Sequence, residues 1–272
     1  PDDAPVITQR DSSTPTTNTV TINAAENAEA NVTLSGVNID TRGTHKAAVE
    51  IQGEGDVVIE LDGSNTVQSG WERAGVEKNT SDPWGTNPGS GNGNLTITDE
   101  NETHGSLKAT GGSLGAGIGG GAWCTGSENI TVSGDAQVKA QGGVETNNPA
   151  TGAAIGDGAQ YNSAIPGSDI PGREETPNTD ALNEGWIAAY APGTENMDTA
   201  VPNSLTYKDD NGYLTTSSNA VPFTKQKPTC TEDGYRAGFT VGNTQVGGET
   251  LPATGHNVPN GYTPQNDATC TT

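Results

Sequence analysis

Short segments of the chain alternate apolar and polar residues, and such segments recur along the sequence. The alternation is clearest in three places, where every second residue is Val, Ile or Leu: Val57/Ile59/Leu61, Leu95/Ile97 and Ile130/Val132. A period of two is the pattern of a β-strand with one buried face. Because no segment shows the spacing of an amphipathic helix, the sequence predicts an all-β protein.

A glycine-rich phrase accompanies these segments at intervals. Gly-Ala-Gly-Ile-Gly-Gly-Gly at 115–121 returns as Gly-Ala-Ala-Ile-Gly-Asp-Gly at 152–158, and Ala47 and Ala74 stand at the same point of two earlier copies, 27 residues apart. Later copies follow after 42 and 37 residues. Repeated strand-like pieces predict a right-handed parallel β-helix, a solenoid in which equivalent residues stack in successive coils. A two-sheet sandwich is the alternative all-β fold, but its strands would not repeat in sequence.

The repeats divide the chain into an N-terminal extension, the β-helix, a cap segment and a small β-rich repeat module, at 1–24, 25–158, 159–224 and 225–272. The extension contains a first strand near Val20–Ile22. In the third part, Pro-Gly turns surround Gly185–Tyr190, which is too irregular to be a coil. We expect this part to cover the open end of the solenoid, where backbone groups and apolar side chains would otherwise be exposed.

Two of the three cysteines begin matching phrases in the last part. Lys-Pro-Thr-Cys-Thr at Cys230 and Asp-Ala-Thr-Cys-Thr at Cys270 lie 40 residues apart, and the sequence stops two residues after the second. We therefore expect a monomeric piece of a longer, tandemly repeated protein. Because the two cysteines belong to different copies of the module, we expect no obligatory disulfide between them.

A formal net charge of −22 limits the partners of the chain. Such a field repels nucleic acid and anionic lipids, so neither is an expected partner. No apolar run reaches the ~18 residues of a membrane-spanning helix, and we expect no membrane insertion. An acidic polysaccharide would need divalent cations to bridge it to this protein, whereas a neutral glycan would not.

Several phrases resemble those of bacterial surface proteins. Val57-Val-Ile-Glu-Leu-Asp-Gly-Ser-Asn-Thr-Val67 and Gly115-Ala-Gly-Ile-Gly-Gly-Gly121 resemble the β-helical carbohydrate-binding domains of clostridial and other Gram-positive surface proteins, over about residues 30–158. Pro228-Thr-Cys-Thr-Glu-Asp-Gly-Tyr235 and Leu251-Pro-Ala-Thr-Gly-His256 are similar to the tandem stalk repeats of gut-bacterial surface proteins. The resemblance implies a secreted, cell-surface protein of adhesin type that binds a polysaccharide or a host glycan. The alternatives are a structural spacer and a calcium-dependent polysaccharide lyase.

Three of the four tryptophans are candidate ligand contacts. Trp71, Trp84 and Trp123 lie in glycine- and asparagine-rich segments at or beyond strand ends. An indole face in such a place can stack on the ring of a sugar. The alternative is that each indole covers the corner of a coil.

Acidic residues at turns are candidate ligands of Ca²⁺, which takes only oxygen ligands. The predicted metal ligands are Asp99, Glu100 and Asp157. Solvated turns are the alternative, since no segment matches a calcium-binding loop.

Catalysis by a β-helix lyase would need a basic residue beside calcium-binding acids on one outer face. Lys108 and Lys139 occupy equivalent positions in Leu-Lys-Ala and Val-Lys-Ala, so we expect them to be outward-facing neighbours. This arrangement predicts a surface ladder rather than a catalytic pair. No Ser/His/Asp or Cys/His arrangement is recognisable, and we expect no enzymatic activity.

Overall fold

The computed structural model describes residues 4–80, 91–101, 105–126, 129–145, 150–160, 169–223, 226–248 and 250–253. The regular structure within these ranges consists of β-strands. The prediction of an all-β protein is confirmed. None of the described ranges contains a helix of the length and apolar character that crossing a membrane requires.

Most strands belong to three main sheets. Sheet A contains, in pairing order, β1 (Val6–Thr8), β3 (Glu29–Ser35), β6 (Asp56–Asp62), β9 (Leu95–Asp99) and β12 (Ile130–Gly134). Sheet B contains β4 (Asn38–Asp40), β7 (Ser64–Gln68), β10 (Ser106–Thr110), β13 (Gln137–Gln141), β15 (Trp186–Tyr190), β16 (Ser204–Lys208) and β17 (Leu214–Ser217). Sheet C contains β2 (Val20–Ala24), β5 (Val49–Gly53), β8 (Val76–Lys78), β11 (Ile118–Gly119) and β14 (Ile155–Gly156). The strand expected near Val20–Ile22 is therefore present as β2.

Along the chain the strands visit sheets A, B and C in turn. We call each group of three a repeat: β3–β4–β5, β6–β7–β8, β9–β10–β11 and β12–β13–β14. Equivalent strands of successive repeats pair in parallel, with Val57 opposite Leu95 and Leu95 opposite Ile130. In sheet C, Ile118 lies opposite Val76 and Ile155. Ile118 lies 42 residues after Val76 and 37 residues before Ile155, and these are the intervals of the glycine-rich phrase.

The inward side chains of the three sheets meet in one apolar column. All seven residues that the alternation places on the buried face are buried in it, which confirms that prediction: Val57, Ile59, Leu61, Leu95, Ile97, Ile130 and Val132. Burial of one such side chain contributes about 1.5–3 kcal/mol. The column is therefore the main source of stability of the repeats.

Successive repeats approach each other most closely at the corner between sheets B and C. Gly70, Gly112 and Gly143 stack there, because a Cβ atom on Gly112 would overlap the carbonyl oxygen of Gly70 and one on Gly143 that of Gly112. Any other residue would push the two backbones apart. The corner glycines are thus required by the stacking itself.

The segment Gly185–Tyr190 is regular, contrary to expectation. Its strand β15 pairs in parallel with β13 and continues sheet B. Ile187 points into the apolar column, whereas Trp186 and Tyr190 are buried in a second apolar cluster on the outer face. Because both faces of β15 are buried, it lacks the alternation that identifies the other strands. Strands β16 and β17 then pair antiparallel and cover the edge of β15.

The C-terminal part forms two small sheets. One contains β18 (Ala220–Phe223), β20 (Gly238–Val241) and β21 (Thr244–Gly247), and the other β19 (Gly234–Tyr235) and β22 (Thr250–Leu251). Phe239 contacts Trp186 edge to face, with ring centroids 4.7 Å apart. The three-stranded sheet therefore packs on the outer face of sheet B and includes β18, which precedes the expected module boundary.

The structure describes Cys124 and Cys230. Cys230 is disulfide-bonded, and the expectation that it forms no obligatory bond with Cys270 stays a prediction. Cys124 is a buried thiol. Cys270, the remaining cysteine of the sequence, lies outside the described residues.

The stacked corner can be tested by adding one methyl group. Gly112→Ala is expected to lower the free energy of unfolding by about 1–3 kcal/mol, because the new Cβ meets backbone that cannot rotate away. Gly43→Ala is the matched control, since a Cβ there meets no atom within 4 Å. It should leave stability unchanged or raise it by up to about 1 kcal/mol. Urea unfolding followed by tryptophan fluorescence measures both, and equal effects would contradict the stacking argument.

Candidate functional site

The outer face of sheet B carries three rows of side chains. Register places equivalent residues of β7, β10, β13 and β15 side by side in Ser64–Ser106–Gln137–Trp186, Thr66–Lys108–Lys139–Ala188 and Gln68–Thr110–Gln141–Tyr190. Neighbours in a row lie on hydrogen-bonded strands, about 4.8 Å apart. Two grooves border these rows.

The first groove runs beside the third row, at the corner between sheets B and C. It has a volume of about 250 Å³, and we call it the Trp71 groove. Its floor contains the backbone of residues 111–112 and 142–143, which are glycines, and its walls include Trp71, Arg42 and Val144. A glycine floor lets a ligand approach the main chain closely.

Trp71 is exposed but held in place. Its side chain is 59% accessible to solvent. Its backbone NH donates to the carbonyl oxygen of Thr44 at 2.8 Å, and the next NH, of Glu72, donates to that of Ser113 at 3.0 Å. The rings of His45 and Trp71 meet at right angles with centroids 5.3 Å apart. An exposed indole on a corner fixed by both neighbouring repeats is a preorganised surface for a ligand.

Gln141 provides a buried polar group in the same groove. Its side chain is only 7% exposed, and its Oε1 finds no hydrogen-bond partner among the residues that the structure describes. A buried acceptor without a partner costs about 1–3 kcal/mol, and in a native protein it points to a ligand or a water molecule. A hydroxyl group entering the groove would satisfy it.

Sequence reasoning missed Gln141, although the signal was present. Thr110 and Gln141 stand two residues after the matched Lys108 and Lys139, so the period of two places all four on one face. The register confirms that Lys108 and Lys139 are neighbours, as predicted.

The other two candidate tryptophans do not add to this groove. Trp84 lies outside the described residues. Trp123 packs against a small apolar cluster that includes Leu114 and Ala150, and its backbone NH donates to the carbonyl oxygen of Ala159 at 3.0 Å. Trp123 therefore contacts apolar residues at a corner, and a sugar contact by Trp123 stays a prediction.

The predicted calcium ligands lie on two different sheets. Asp99 is buried at the end of β9, where its carboxylate accepts a hydrogen bond from the NH of Gly105, and the exposed Glu100 follows it. Asp157 follows β14 and accepts from the NH of Gly126 at 3.1 Å. Within the described ranges, no three His, Cys, Asp or Glu side chains are grouped as metal ligands would be. Calcium binding at Asp99, Glu100 and Asp157 stays a prediction.

The second groove, of about 430 Å³, lies over the first two rows, and we call it the Lys groove. Lys108 and Lys139 donate to the two carboxylate oxygens of Asp198, at 2.9 and 2.7 Å. Burial would raise the pKa of Asp198, but the hydrogen bonds from Lys139 and Lys108 outweigh it, and the pKa is lowered. Arg236 and Trp186 also line this groove.

A buried ionic cluster lies on the outer side of sheet C. Burial raises the pKa of Glu77 to about 7, against the opposing charge of Arg73. The Glu77 carboxylate accepts from Arg73 Nε at 2.9 Å, from the NH of Ala74 at 3.0 Å and from Asn79 Nδ2 at 2.9 Å. Arg73 Nη2 lies 2.6 Å from Glu77 Oε1 and 2.9 Å from Glu50 Oε1. Donors of the protein thus occupy the Glu77 carboxylate. We infer that the cluster stabilises the fold and is not a ligand-binding site.

No family model, curated protein or solved structure matches the chain. What the two grooves can bind therefore follows from their own side chains. The Trp71 groove offers an aromatic face and a hydrogen-bond acceptor, and the Lys groove offers cations.

The buried cluster makes a prediction about stability. Arg73→Met is expected to lower the free energy of unfolding by about 3 kcal/mol, because it leaves the Glu77 carboxyl buried without its cation. Arg42→Met is the control, since its partner is Asp40 and its own side chain is 66% exposed. Loss of that exposed pair should cost at most about 1 kcal/mol. Urea denaturation compares the two variants.

The same cluster allows an internal check. The double variant Arg73→Met/Glu77→Leu should recover part of the lost stability, because the fully buried carboxyl is then removed and only Glu50, whose side chain is 19% exposed, is left without its cation. If Arg73→Met is no more harmful than Arg42→Met, the cluster does not hold sheet C together.

Proposed function

We propose that the protein is a non-catalytic, cell-surface module of adhesin type, which binds a polysaccharide or a host glycan in the Trp71 groove. In this proposal the three main sheets are the faces of a right-handed parallel β-helix, and the ligand lies on its outer surface. The observation that carries the proposal is the combination of an exposed, fixed Trp71 with the buried, unpartnered Oε1 of Gln141 in one groove.

The two groups suit the two sides of a sugar. A pyranose ring has an apolar face of C–H groups, which stacks on an indole, and a rim of hydroxyl groups, which donate and accept hydrogen bonds. Ligand pockets typically combine apolar and aromatic surface with a few placed polar groups. Trp71 supplies the first and Gln141 the second, at a corner whose glycine floor leaves room for the ring.

A neutral sugar fits this groove better than a charged one. Arg42 is the charged residue of its lining, and its guanidinium is already paired with Asp40 at 2.6 Å. Stacking and hydrogen bonding do not require a metal ion. We therefore expect binding of a neutral glycan to survive a chelator.

The absence of catalysis in this proposal is supported by the engagement of the ionisable groups near the grooves. Lys108 and Lys139 are paired with Asp198, and Arg42 is paired with Asp40. A general acid or base needs a proton position open to the substrate. The extracellular, surface-bound location is supported by the resemblance to Gram-positive surface proteins and by the acidic composition.

Replacement of the indole tests the proposal. A glycan array identifies a neutral ligand, and titration calorimetry in EDTA then measures its affinity. Trp71→Ala is expected to weaken binding by about 1–2 kcal/mol, roughly 5–30-fold, because one aromatic stacking contact is lost. Gln141→Leu, which keeps the volume and removes the acceptor, should weaken it roughly fivefold.

Tyr213→Ala is the matched control, because this aromatic side chain is 72% exposed and does not line the Trp71 groove. It should bind like the parent protein. If Trp71→Ala also binds like the parent, or if the parent binds no glycan, the spacer alternative accounts better for the protein.

A further inference from the structure

The Lys groove is a cationic site on a strongly acidic protein. Among the residues that the structure describes, the charged ones in its lining are Lys108, Lys139, Arg236 and Asp198, which is three cations against one anion, whereas the whole chain carries a net charge of −22. At physiological ionic strength a charge is screened beyond about 8 Å. The distant acidic residues therefore cannot cancel the attraction that these cations exert on a group within the groove.

The geometry of Asp198 shows which anion the groove accepts. Its two oxygens are shared between Lys108 on β10 and Lys139 on β13, which are directly opposite each other in the sheet. One carboxylate thus spans two adjacent strands. The Asp198 side chain is 55% exposed, so this carboxylate sits at the mouth of the groove rather than in the interior.

Lys139 is also fixed from the other side. Its Nζ lies 6.0 Å from the ring centre of Trp186 and 5.7 Å from that of Phe239, within the range of cation–π attraction. The ammonium group is therefore held in position independently of Asp198. It would stay in place for another carboxylate.

We propose that the Lys groove binds the carboxylate of an acidic sugar, which takes the place of the Asp198 carboxylate between Lys108 and Lys139. The inference rests on the proposed glycan-binding function and specifies a class of ligand for it. Hydroxyl and amide groups of Ser64, Ser106 and Gln137 line the same groove and suit the hydroxyls of the sugar ring. Direct contact with lysines replaces the expectation that an acidic glycan needs a bridging divalent cation.

The two grooves lie on one face and can serve one ligand chain. Lys108 and Thr110 are two residues apart on β10, as are Lys139 and Gln141 on β13, which corresponds to about 7 Å along each strand. Residues 193–198 connect the two grooves, because Gly193 lines the Trp71 groove and Asp198 the Lys groove. A charged sugar at the lysines therefore competes with this segment, while a neutral sugar at Trp71 does not.

The test uses matched acidic and neutral ligands, with calorimetry on the full chain in EDTA. Sialyllactose is compared with lactose, and trigalacturonate with its methyl ester, so that the two arms separate a host-type sialoside from a uronate polymer. In at least one arm the acid should bind at least about tenfold more tightly than its neutral counterpart. Acetate at the same concentration should not compete, because it lacks the ring.

Three variants and one control variant locate the binding. Lys108→Met and Lys139→Met should each weaken the acidic ligand about tenfold, whereas Lys46→Met, an exposed lysine elsewhere, makes the same change in net charge and should have no effect. Asp198→Asn should strengthen it severalfold, because the internal competitor is neutralised.

The inference is overturned if neither acid binds more tightly than its neutral counterpart, if acetate competes equally, or if the variants at 108 and 139 behave like Lys46→Met. An unchanged affinity of Asp198→Asn would overturn the competition with Asp198. Binding of a neutral glycan that depends on Trp71 would leave the proposed function standing in each of these cases. If only the Trp71-dependent binding of a neutral glycan is absent, the proposed function is wrong, and the lysine-dependent binding of the acidic ligand still stands.

Discussion

Backbone hydrogen bonding between equivalent residues of successive repeats is the constraint on which the rest of the structure depends. In-register parallel pairing sets a spacing of about 4.8 Å between repeats and places each side chain beside its equivalent. Inside, this brings Val57, Leu95 and Ile130 into contact in one column. At the corner between sheets B and C it leaves no room for a Cβ, so Gly70, Gly112 and Gly143 stand there. Outside, it aligns polar side chains in rows, and these rows form the grooves.

The same spacing explains how a protein of net charge −22 can carry a local group of cations on its surface. Lys108 and Lys139 are neighbours because their strands, β10 and β13, pair with each other. Both ammonium groups form ion pairs with the carboxylate of Asp198. Two like charges at this separation repel each other in the absence of a shared anion. The segment that carries Asp198 follows β15 and lies outside the repeats. The site thus depends on both the regular and the irregular part of the chain.

The sequence predicted those features that the repeat imposes and missed those that contacts between distant segments impose. The inward residues, the intervals between strands and the pairing of Lys108 with Lys139 follow from internal similarity alone. Strand β15 was missed because Trp186 and Tyr190 are buried by a module that covers the outer face, which removes the alternation. One of the two groups in the Trp71 groove was predicted from the sequence. Trp71 was recognisable as a candidate by its residue type, whereas Gln141 becomes a candidate only because its side chain is buried without a hydrogen-bond partner for Oε1.

Because each repeat pairs only with its neighbours, the architecture has a consequence for how such a protein changes in evolution. Duplication or loss of one complete repeat would add or remove one strand in each main sheet and leave every other register as it is. The outer rows would lengthen or shorten by one side chain, or about 4.8 Å, at each event. The antiparallel strands β16 and β17 would keep their place at the end of sheet B. A change in repeat number would therefore change the length of the outer surface without rebuilding the rest of the fold.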